Sequence, residues 1–141
     1  MKQIYLDSCI VIYLIEGELL FHQNIRMALA GERRNGIRLS WSFLTHLECL
    51  VMPKRRNELD LIDHYERFFM MPSLIRLDFS AEVFAIATEL RAFQNLKTPD
   101  ALHLAAAIHH GCTEFWTNDL RLKAAAANRI QIINPLASAK E

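Results

Sequence analysis

The sequence contains no uninterrupted apolar run of the ~18 residues that a membrane-spanning helix requires. Its first residues, Met1 to Ile4, lead directly into a strand-like run and lack the cationic segment, apolar stretch and cleavage site of a signal peptide. These two absences predict a cytoplasmic protein that does not interact with membranes.

The sequence also lacks an excess of positive or negative charge, because 16 Lys and Arg residues balance 16 Asp and Glu residues. The chain therefore has no overall positive field that would attract nucleic acid, and a polyanion has to be bound by local patches. The basic groups that could form such patches are Arg33 and Arg34 with Arg38, Lys54 to Arg56, and Arg121 with Lys123. Most charged runs are solvated surface, so each group is only a candidate.

Glycine and proline are scarce, with four of each among 141 residues, whereas apolar residues make up 52% of the chain. This composition excludes a disordered or low-complexity protein and is sufficient for a packed core. We expect residues 1–141 to form a single domain. The three cysteines, Cys9, Cys49 and Cys112, are odd in number and widely spaced, which favours reduced thiols over a disulfide framework or a zinc site.

Short apolar runs alternate with helical patterns along the whole chain. The runs that predict strands are 3–6, 37–41, 74–78, 113–117 and 129–133. The patterns that predict helices are 8–14, 18–34, 43–52, 57–70, 80–95 and 100–110, with a short helix between the last two strands. The alternation predicts an α/β fold with a central, mostly parallel sheet of four to five strands and helices on both faces.

Local signals indicate where these helices begin and end. Serine side chains at Ser8, Ser42 and Ser80 are expected to cap helices, and Thr98 is expected to cap another, with Pro99 in its first turn. Pro53 is expected to stop the helix that Ser42 caps, and Pro72 the one that follows.

Four carboxylates stand against apolar runs, where a core would normally be, and acidic side chains are rarely buried without a partner. Asp7 and Asp119 each follow a predicted strand, and the carboxyl ends of parallel strands meet at one edge of a sheet. Asp100 lies in the first turn of a nearly all-apolar helix. Glu48 shares a helix face with Leu44, Leu47 and Val51, which predicts that it points inward. Clustered carboxylates repel one another unless a cation holds them, so the pattern suggests a site for a hard divalent ion.

Each carboxylate also has an ordinary interpretation. Asp7 and Asp119 could cap the helices that follow them, and Asp100 could be favoured by the helix dipole alone. Glu48 could form a buried ion pair with an arginine. Four separate coincidences in one small domain are nevertheless harder to explain than one shared cause.

Taken together, these segments resemble the four successive acidic motifs of the PIN-domain family. The segments are Ile4-Tyr5-Leu6-Asp7-Ser8, the helical Glu48, Thr98-Pro99-Asp100-Ala101-Leu102-His103-Leu104-Ala105, and Phe115-Trp116-Thr117-Asn118-Asp119. In its small, single-domain size the chain most resembles the VapC-type toxins of toxin–antitoxin pairs. One departure is visible, because Cys9 stands where the family often has asparagine.

The resemblance implies a three-layer α/β/α fold and a ribonuclease that depends on Mg²⁺ or Mn²⁺. It also implies an RNA substrate, a homodimer and a small antitoxin protein as partners. Two divalent ions about 4 Å apart can activate a water molecule and stabilise charge on a phosphodiester, and carboxylates hold such ions.

On this basis we assign catalytic roles to Asp7, Glu48, Asp100 and Asp119. Asp7 and Asp100 are the principal metal ligands, Asp119 is a further ligand, and Glu48 orients or deprotonates the attacking water. The hydroxyls of Ser8 and Thr117 are candidate supports for these ligands, or ordinary helix-start hydroxyls. Arg121 and Lys123 are the preferred RNA contacts.

Other interpretations stay open at this point. His103 lies one turn beyond Asp100 and could touch the site, although a hydrogen-bonded histidine on a buried helix is the commoner arrangement. The run from Phe68 to Met71 favours core packing, but it would also suit a partner surface. The alternative functions are an RNA-processing nuclease without an antitoxin and an inactive binding module. A phosphotransfer domain with Asp7 as nucleophile is disfavoured, because no glycine-rich phosphate loop follows.

Overall fold

The structure is a computed structural model that describes residues 2–17, 19–34 and 36–138. Five parallel strands form one sheet in the order β3-β2-β1-β4-β5. The strands are β1 Lys2–Leu6, β2 Ile37–Trp41, β3 Leu74–Arg76, β4 Glu114–Trp116 and β5 Gln131–Ile133. The predicted α/β class and the parallel central sheet are therefore confirmed.

Helices connect these strands and cover both faces of the sheet. They are α1 Ser8–Glu16, α2 Leu19–Arg33, α3 Phe43–Arg55, α4 Leu59–Phe69, α5 Ala81–Gln94, α6 Thr98–His109, α7 Leu122–Ala126 and α8 Pro135–Ser138. Glu18, the predicted first residue of the second helix, lies outside the described residues. Within the described part of the chain, no helix has the length and apolar character to cross a membrane.

The two faces of the sheet are packed by separate apolar clusters, because side chains alternate along a strand. Ile4 and Leu6 of β1 contribute to one cluster, which contains residues of α1, α2, α3 and α4. Tyr5 contributes to the other cluster with Phe115 and residues of α5, α6 and α7. These two clusters produce the three-layer arrangement that the resemblance implies.

Two of the predicted caps are confirmed and two are wrong. The side chains of Ser42 and Ser80 accept hydrogen bonds from backbone N–H groups in the first turns of α3 and α5. Helix α1 is instead capped by Asp7, whose carboxylate accepts from the N–H of Ser8, so Ser8 is the first helical residue. Helix α6 has Lys97 at its N-cap position, because the helix already includes Thr98 before Pro99.

Pro53 does not stop α3, which continues to Arg55. A proline in the last turn removes only one backbone hydrogen bond from the helix. Pro53 is buried, and we attribute the continuation of the helix to packing of its ring, which offsets that loss. Arg56 is the C-cap residue that follows the helix, and Asn57 then adopts a left-handed conformation with φ of 55°.

Candidate active site

Asp7 lies at the carboxyl end of β1 and uses both carboxylate oxygens. Its Oδ1 accepts from the backbone N–H of Ser8 at 2.8 Å, and its Oδ2 accepts from the hydroxyl of Thr117 at 2.8 Å. Thr117 is buried and accepts in turn from the backbone N–H of Asp119 at 3.1 Å. Asp7 is therefore both a helix cap and a member of the cluster, and Thr117 links it to the segment that carries Asp119.

Glu48 reaches the same region from α3, although not by the helix face that the sequence predicted. Leu47 is 55% exposed and Val51 is 41% exposed, so the predicted inward face is wrong. The buried positions of α3 are Thr45, Cys49, Leu50 and Pro53. Glu48 lies at the border of this buried face, where its half-buried carboxylate accepts from His103 Nε2 at 2.6 Å.

Opposing influences act on the pKa of Glu48. Burial alone would raise it, but the hydrogen bond and charge of His103, together with a bond from the Ser8 side chain, lower it below the ordinary value. Glu48 is therefore ionised at neutral pH, and its oxygens act as acceptors.

Asp100 shows that the carboxylates influence one another. Burial raises its pKa, and the negative charges of Asp7, Asp119 and Glu48 raise it further. Asp100 and Asp119 also line a common cavity of about 360 Å³, next to the N-terminal end of α6. All four predicted carboxylates thus contribute to one region of negative charge at the carboxyl edge of the sheet.

Asp119 differs from the others because it has a cationic partner in the structure. The guanidinium of Arg121 donates from Nε to Oδ1 at 2.8 Å and from Nη2 to Oδ2 at 2.7 Å. This bidentate contact lowers the pKa of the Asp119 carboxyl. Lys123, the other predicted RNA contact, lines a separate cavity with Ala127 and Ile130.

His103 is the member of the cluster for which the sequence left two interpretations open, contact with the site or a hydrogen bond on a buried helix. One ligand atom each from Asp7, Glu48 and His103 lies within 4.8 Å of the other two, a grouping that does not include Asp100 or Asp119. The ring is buried, and its Nδ1 lies 2.6 Å from the Tyr5 hydroxyl. The structure shows both features, because the buried His103 is hydrogen-bonded and also touches the site through Glu48. The role of Tyr5 was missed. The available signal was the two-residue spacing that places Tyr5 and Asp7 on the same side of β1.

Cys9, the departure noted in the sequence, lies beside this cluster. Its Sγ is 3.4 Å from the backbone nitrogen of Asn118 and 3.8 Å from the Thr117 hydroxyl. Burial, followed by the charge of Asp7, raises the pKa of the Cys9 thiol to about 11. The thiol is therefore protonated at neutral pH and does not add negative charge to the site.

The geometry can be compared with known proteins at this point. A family model described as "PIN domain" matches residues 4–128. The chain belongs to the PIN-domain family. The PIN match includes all four carboxylates, whereas a search of curated proteins finds no match to the sequence.

Solved structures similar to this PIN domain come from several bacteria and include a toxin–antitoxin complex. VapBC2 from Rickettsia felis, bound to a DNA fragment from its promoter, has a TM-score of 0.72 at 17% identity, covering 94% of this chain and 98% of that chain. A toxin–antitoxin complex from Klebsiella pneumoniae has a TM-score of 0.68 at 22% identity, covering 93% and 96%. FitAcB from Neisseria gonorrhoeae has a TM-score of 0.63 at 20% identity, covering 94% and 97%. At these identities the likeness supports the fold.

The raised pKa of Asp100 leads to a prediction about stability. Because the folded protein holds the Asp100 proton more tightly than the unfolded chain does, ionisation of this carboxyl costs stability as the pH rises through the raised pKa. In chelator, Asp100→Asn should therefore raise the melting temperature at neutral pH. The gain should shrink as the pH falls and vanish below the ordinary value of 3.8.

Melting curves between pH 3 and pH 8 would measure this difference. Asp119→Asn provides the control, because the pKa of Asp119 is lowered and the sign reverses, with a small loss of stability at neutral pH that disappears in acid. A lower melting temperature for Asp100→Asn at neutral pH would contradict the assignment of Asp100 to a repulsive cluster.

Proposed function

We propose that this protein is a metal-dependent ribonuclease that hydrolyses RNA phosphodiester bonds, and that it is the toxin of a toxin–antitoxin pair. Membership of the PIN family supports nuclease chemistry. The observation that carries the proposal is that ligand atoms of Asp7, Glu48 and His103 lie within 4.8 Å of one another. Asp100 lies close enough that burial first, and then the charges of Asp7, Asp119 and Glu48, raise its pKa. The same proposal treats residues 1–141 as one PIN domain.

The donor set fits a hard divalent cation. Carboxylate oxygens are the ligands that Mg²⁺ and Mn²⁺ prefer, and a cation would relieve the repulsion that raises the pKa of Asp100. Asp7 and Asp100 would hold the ion, with Asp119 as a further ligand directly or through water. When bound, the ion supplies an activated water and neutralises charge on the attacked phosphate.

The protein groups around the ligands have complementary tasks in this proposal. Glu48 is ionised at neutral pH and half-buried, so it can orient the attacking water and accept its proton. Thr117 holds Asp7 through its hydroxyl, and Ser8 donates to Glu48. These contacts fix the carboxylates before substrate arrives.

Arg121 is the proposed contact for the RNA backbone nearest the site. A guanidinium that binds a carboxylate in a bidentate manner can bind a phosphate with the same pair of N–H groups. A cation that takes Asp119 as a ligand would release Arg121 from its present pairing. Lys123 would then contact the backbone farther along, beside the cavity that it lines.

An antitoxin partner is proposed on the basis of an apolar groove. The groove lies in the helical layer that contains α1, α2 and α4, on the other side of the sheet from α5 and α6. The groove has a volume of about 270 Å³ and is lined by Leu14, Ile15, His22, Arg26, Leu29, Arg33, Phe68 and Met71. The similar solved structure from Klebsiella pneumoniae is a toxin–antitoxin complex. The two arginines suit an apolar partner segment that also carries acidic residues.

A homodimer is proposed on the basis of a second apolar surface. Phe43, Leu47 and Val51 are exposed at intervals of one helical turn on α3. An exposed stripe of this kind commonly marks a contact between protein chains. We propose that a second copy of the chain covers it.

The proposed activity is tested by removing the metal. Purified protein should cleave single-stranded RNA in Mg²⁺ or Mn²⁺, and chelator should lower the rate on the order of 10³-fold, because the ion supplies several kcal/mol to the transition state. Adding Mn²⁺ back should restore cleavage, and a melting curve in chelator should show that the protein is still folded. Cleavage in chelator at the full rate would contradict the proposal, and binding of RNA without cleavage would favour the inactive binding module.

A further inference from the structure

A buried chain of side-chain hydrogen bonds runs from the core to Glu48. The Tyr5 hydroxyl lies 2.8 Å from Ser42 Oγ and 3.2 Å from Thr45 Oγ1. The same hydroxyl lies 2.6 Å from His103 Nδ1, and His103 Nε2 lies 2.6 Å from Glu48 Oε1. This series of hydrogen bonds joins β1, α3 and α6. Its last bond connects the buried His103 to the half-buried carboxylate of Glu48.

The direction of the bond to Glu48 follows from the groups at its two ends. Glu48 is ionised and can only accept, so Nε2 of His103 must carry a proton and donate it. Nδ1 is bonded to the Tyr5 hydroxyl, which is bonded in turn to Ser42 and Thr45. His103 Nε2 is 3.8 Å from Asp7 Oδ1, a distance beyond a hydrogen bond, so the donated proton belongs to Glu48.

This arrangement argues against His103 as a metal ligand, although its ring lies within 4.8 Å of two carboxylates. A histidine binds a metal ion through a nitrogen lone pair. The nitrogen that faces the carboxylates carries a proton, and the other nitrogen is occupied by Tyr5. Before it could bind a metal ion through Nε2, the ring would have to lose that proton and its hydrogen bond to Glu48.

We propose that His103 is a positioning residue that holds the Glu48 carboxylate toward Asp7, with Tyr5 holding the ring in the orientation that donates from Nε2. The inference rests on the proposed function, in which Glu48 orients the attacking water. A glutamate on the border of an exposed helix face has several rotatable bonds, and its other donor, Ser8, is not fully buried and lies outside the hydrogen-bonded series in the core. A donor anchored in the core removes that freedom, and small errors in the position of a catalytic group are costly.

Two substitutions of His103 distinguish the role of Nε2 from that of Nδ1. In His103→Gln the amide nitrogen reaches the position of Nε2 and can donate to Glu48, whereas in His103→Asn the amide is too short and lies near Nδ1. Both variants replace a buried ring with an amide, so each controls for the loss of packing in the other. We expect His103→Asn to lower kcat about 10- to 100-fold with little change in KM, and His103→Gln to stay within about threefold of the parent.

Binding of Mn²⁺, measured by calorimetry, separates positioning from ligation. A positioning role predicts that His103→Gln binds Mn²⁺ with the parent's affinity, whereas direct ligation predicts that Gln and Asn both weaken binding. Equal loss of kcat in the two variants, or loss of Mn²⁺ binding by His103→Gln, would overturn the proposal.

An NMR measurement on the parent protein decides the geometry even if neither variant folds. Long-range ¹H–¹⁵N spectra should show that His103 is protonated on Nε2 and that this proton exchanges slowly, with faster exchange in Glu48→Ala. A ring whose only proton is on Nδ1 would overturn the inference, whether or not the protein cleaves RNA. If His103 is protonated on Nε2 but the parent protein does not cleave RNA, the result would count against the proposed function alone.

Discussion

Replacing Asp7 by asparagine is expected to lower RNA cleavage on the order of 10³-fold without loss of the folded state. The substitution removes one negative charge from the proposed metal site, so Mn²⁺ affinity should fall together with the rate. Asparagine can still accept from the N–H of Ser8, and its amide nitrogen can donate to the hydroxyl of Thr117, the two contacts that Asp7 makes now.

The stability of the Asp7→Asn variant distinguishes a metal site from a structural ion pair. The Asp7 charge contributes to the raised pKa of Asp100, so removing it relieves repulsion in the metal-free protein. The melting temperature in chelator should be unchanged or higher, and Asp100→Asn should behave in the same way. Added Mg²⁺ or Mn²⁺ should support rapid cleavage by the parent but by neither variant.

Asp63→Asn is the matched control for this experiment. Asp63 forms an exposed ion pair with Arg67 on α4, so the same chemical change there should leave cleavage and stability nearly unchanged. Unfolding of Asp7→Asn would mean that the carboxylate is structural. Normal cleavage by Asp7→Asn would show that the metal-nuclease assignment is wrong.

The second large effect is expected at the apolar groove, where Met71→Glu should strongly weaken binding of the proposed antitoxin. Met71 lines the groove and is 42% exposed, so a carboxylate there would be desolvated by a partner and would repel the acidic residues expected on it. Leaving a charge unpaired in an interface typically costs several kcal/mol, which corresponds to a loss of affinity on the order of 10²- to 10³-fold.

Met70→Glu is the control, because Met70 is the neighbouring residue, is 80% exposed and does not line the groove. Co-expression with the protein of the adjacent reading frame, followed by purification and calorimetry, would compare the two variants with the parent. Met70→Glu should bind normally. Equal binding by both variants would place the antitoxin elsewhere, and a parent that binds no such protein would favour an RNA-processing nuclease without an antitoxin.

The correct and incorrect predictions from the sequence differ in how far apart the interacting groups are. Ser42 and Ser80 were assigned correctly as caps because a cap depends on residues two or three positions away. The inward face of α3 was assigned wrongly because Leu47 and Val51 are apolar but exposed. Periodicity identifies an apolar stripe, but it does not say whether the core or another chain covers that stripe.

The sequence by itself determined the order of strands and helices and the family, because hydrophobic period, caps and motif residues are local properties. It also placed Asp7 and Asp119 at one sheet edge, since parallel strands share the direction of their carboxyl ends. Only the tertiary structure decided the partners of these groups. The bonds of His103 to Glu48 and Tyr5 join residues 55 and 98 positions apart, and such contacts depend on how the layers pack. Arg121 and Asp119 are only two residues apart. Their pairing also depended on the tertiary structure, because an exposed arginine side chain can bond to any acceptor within reach and no local pattern shows which one it takes.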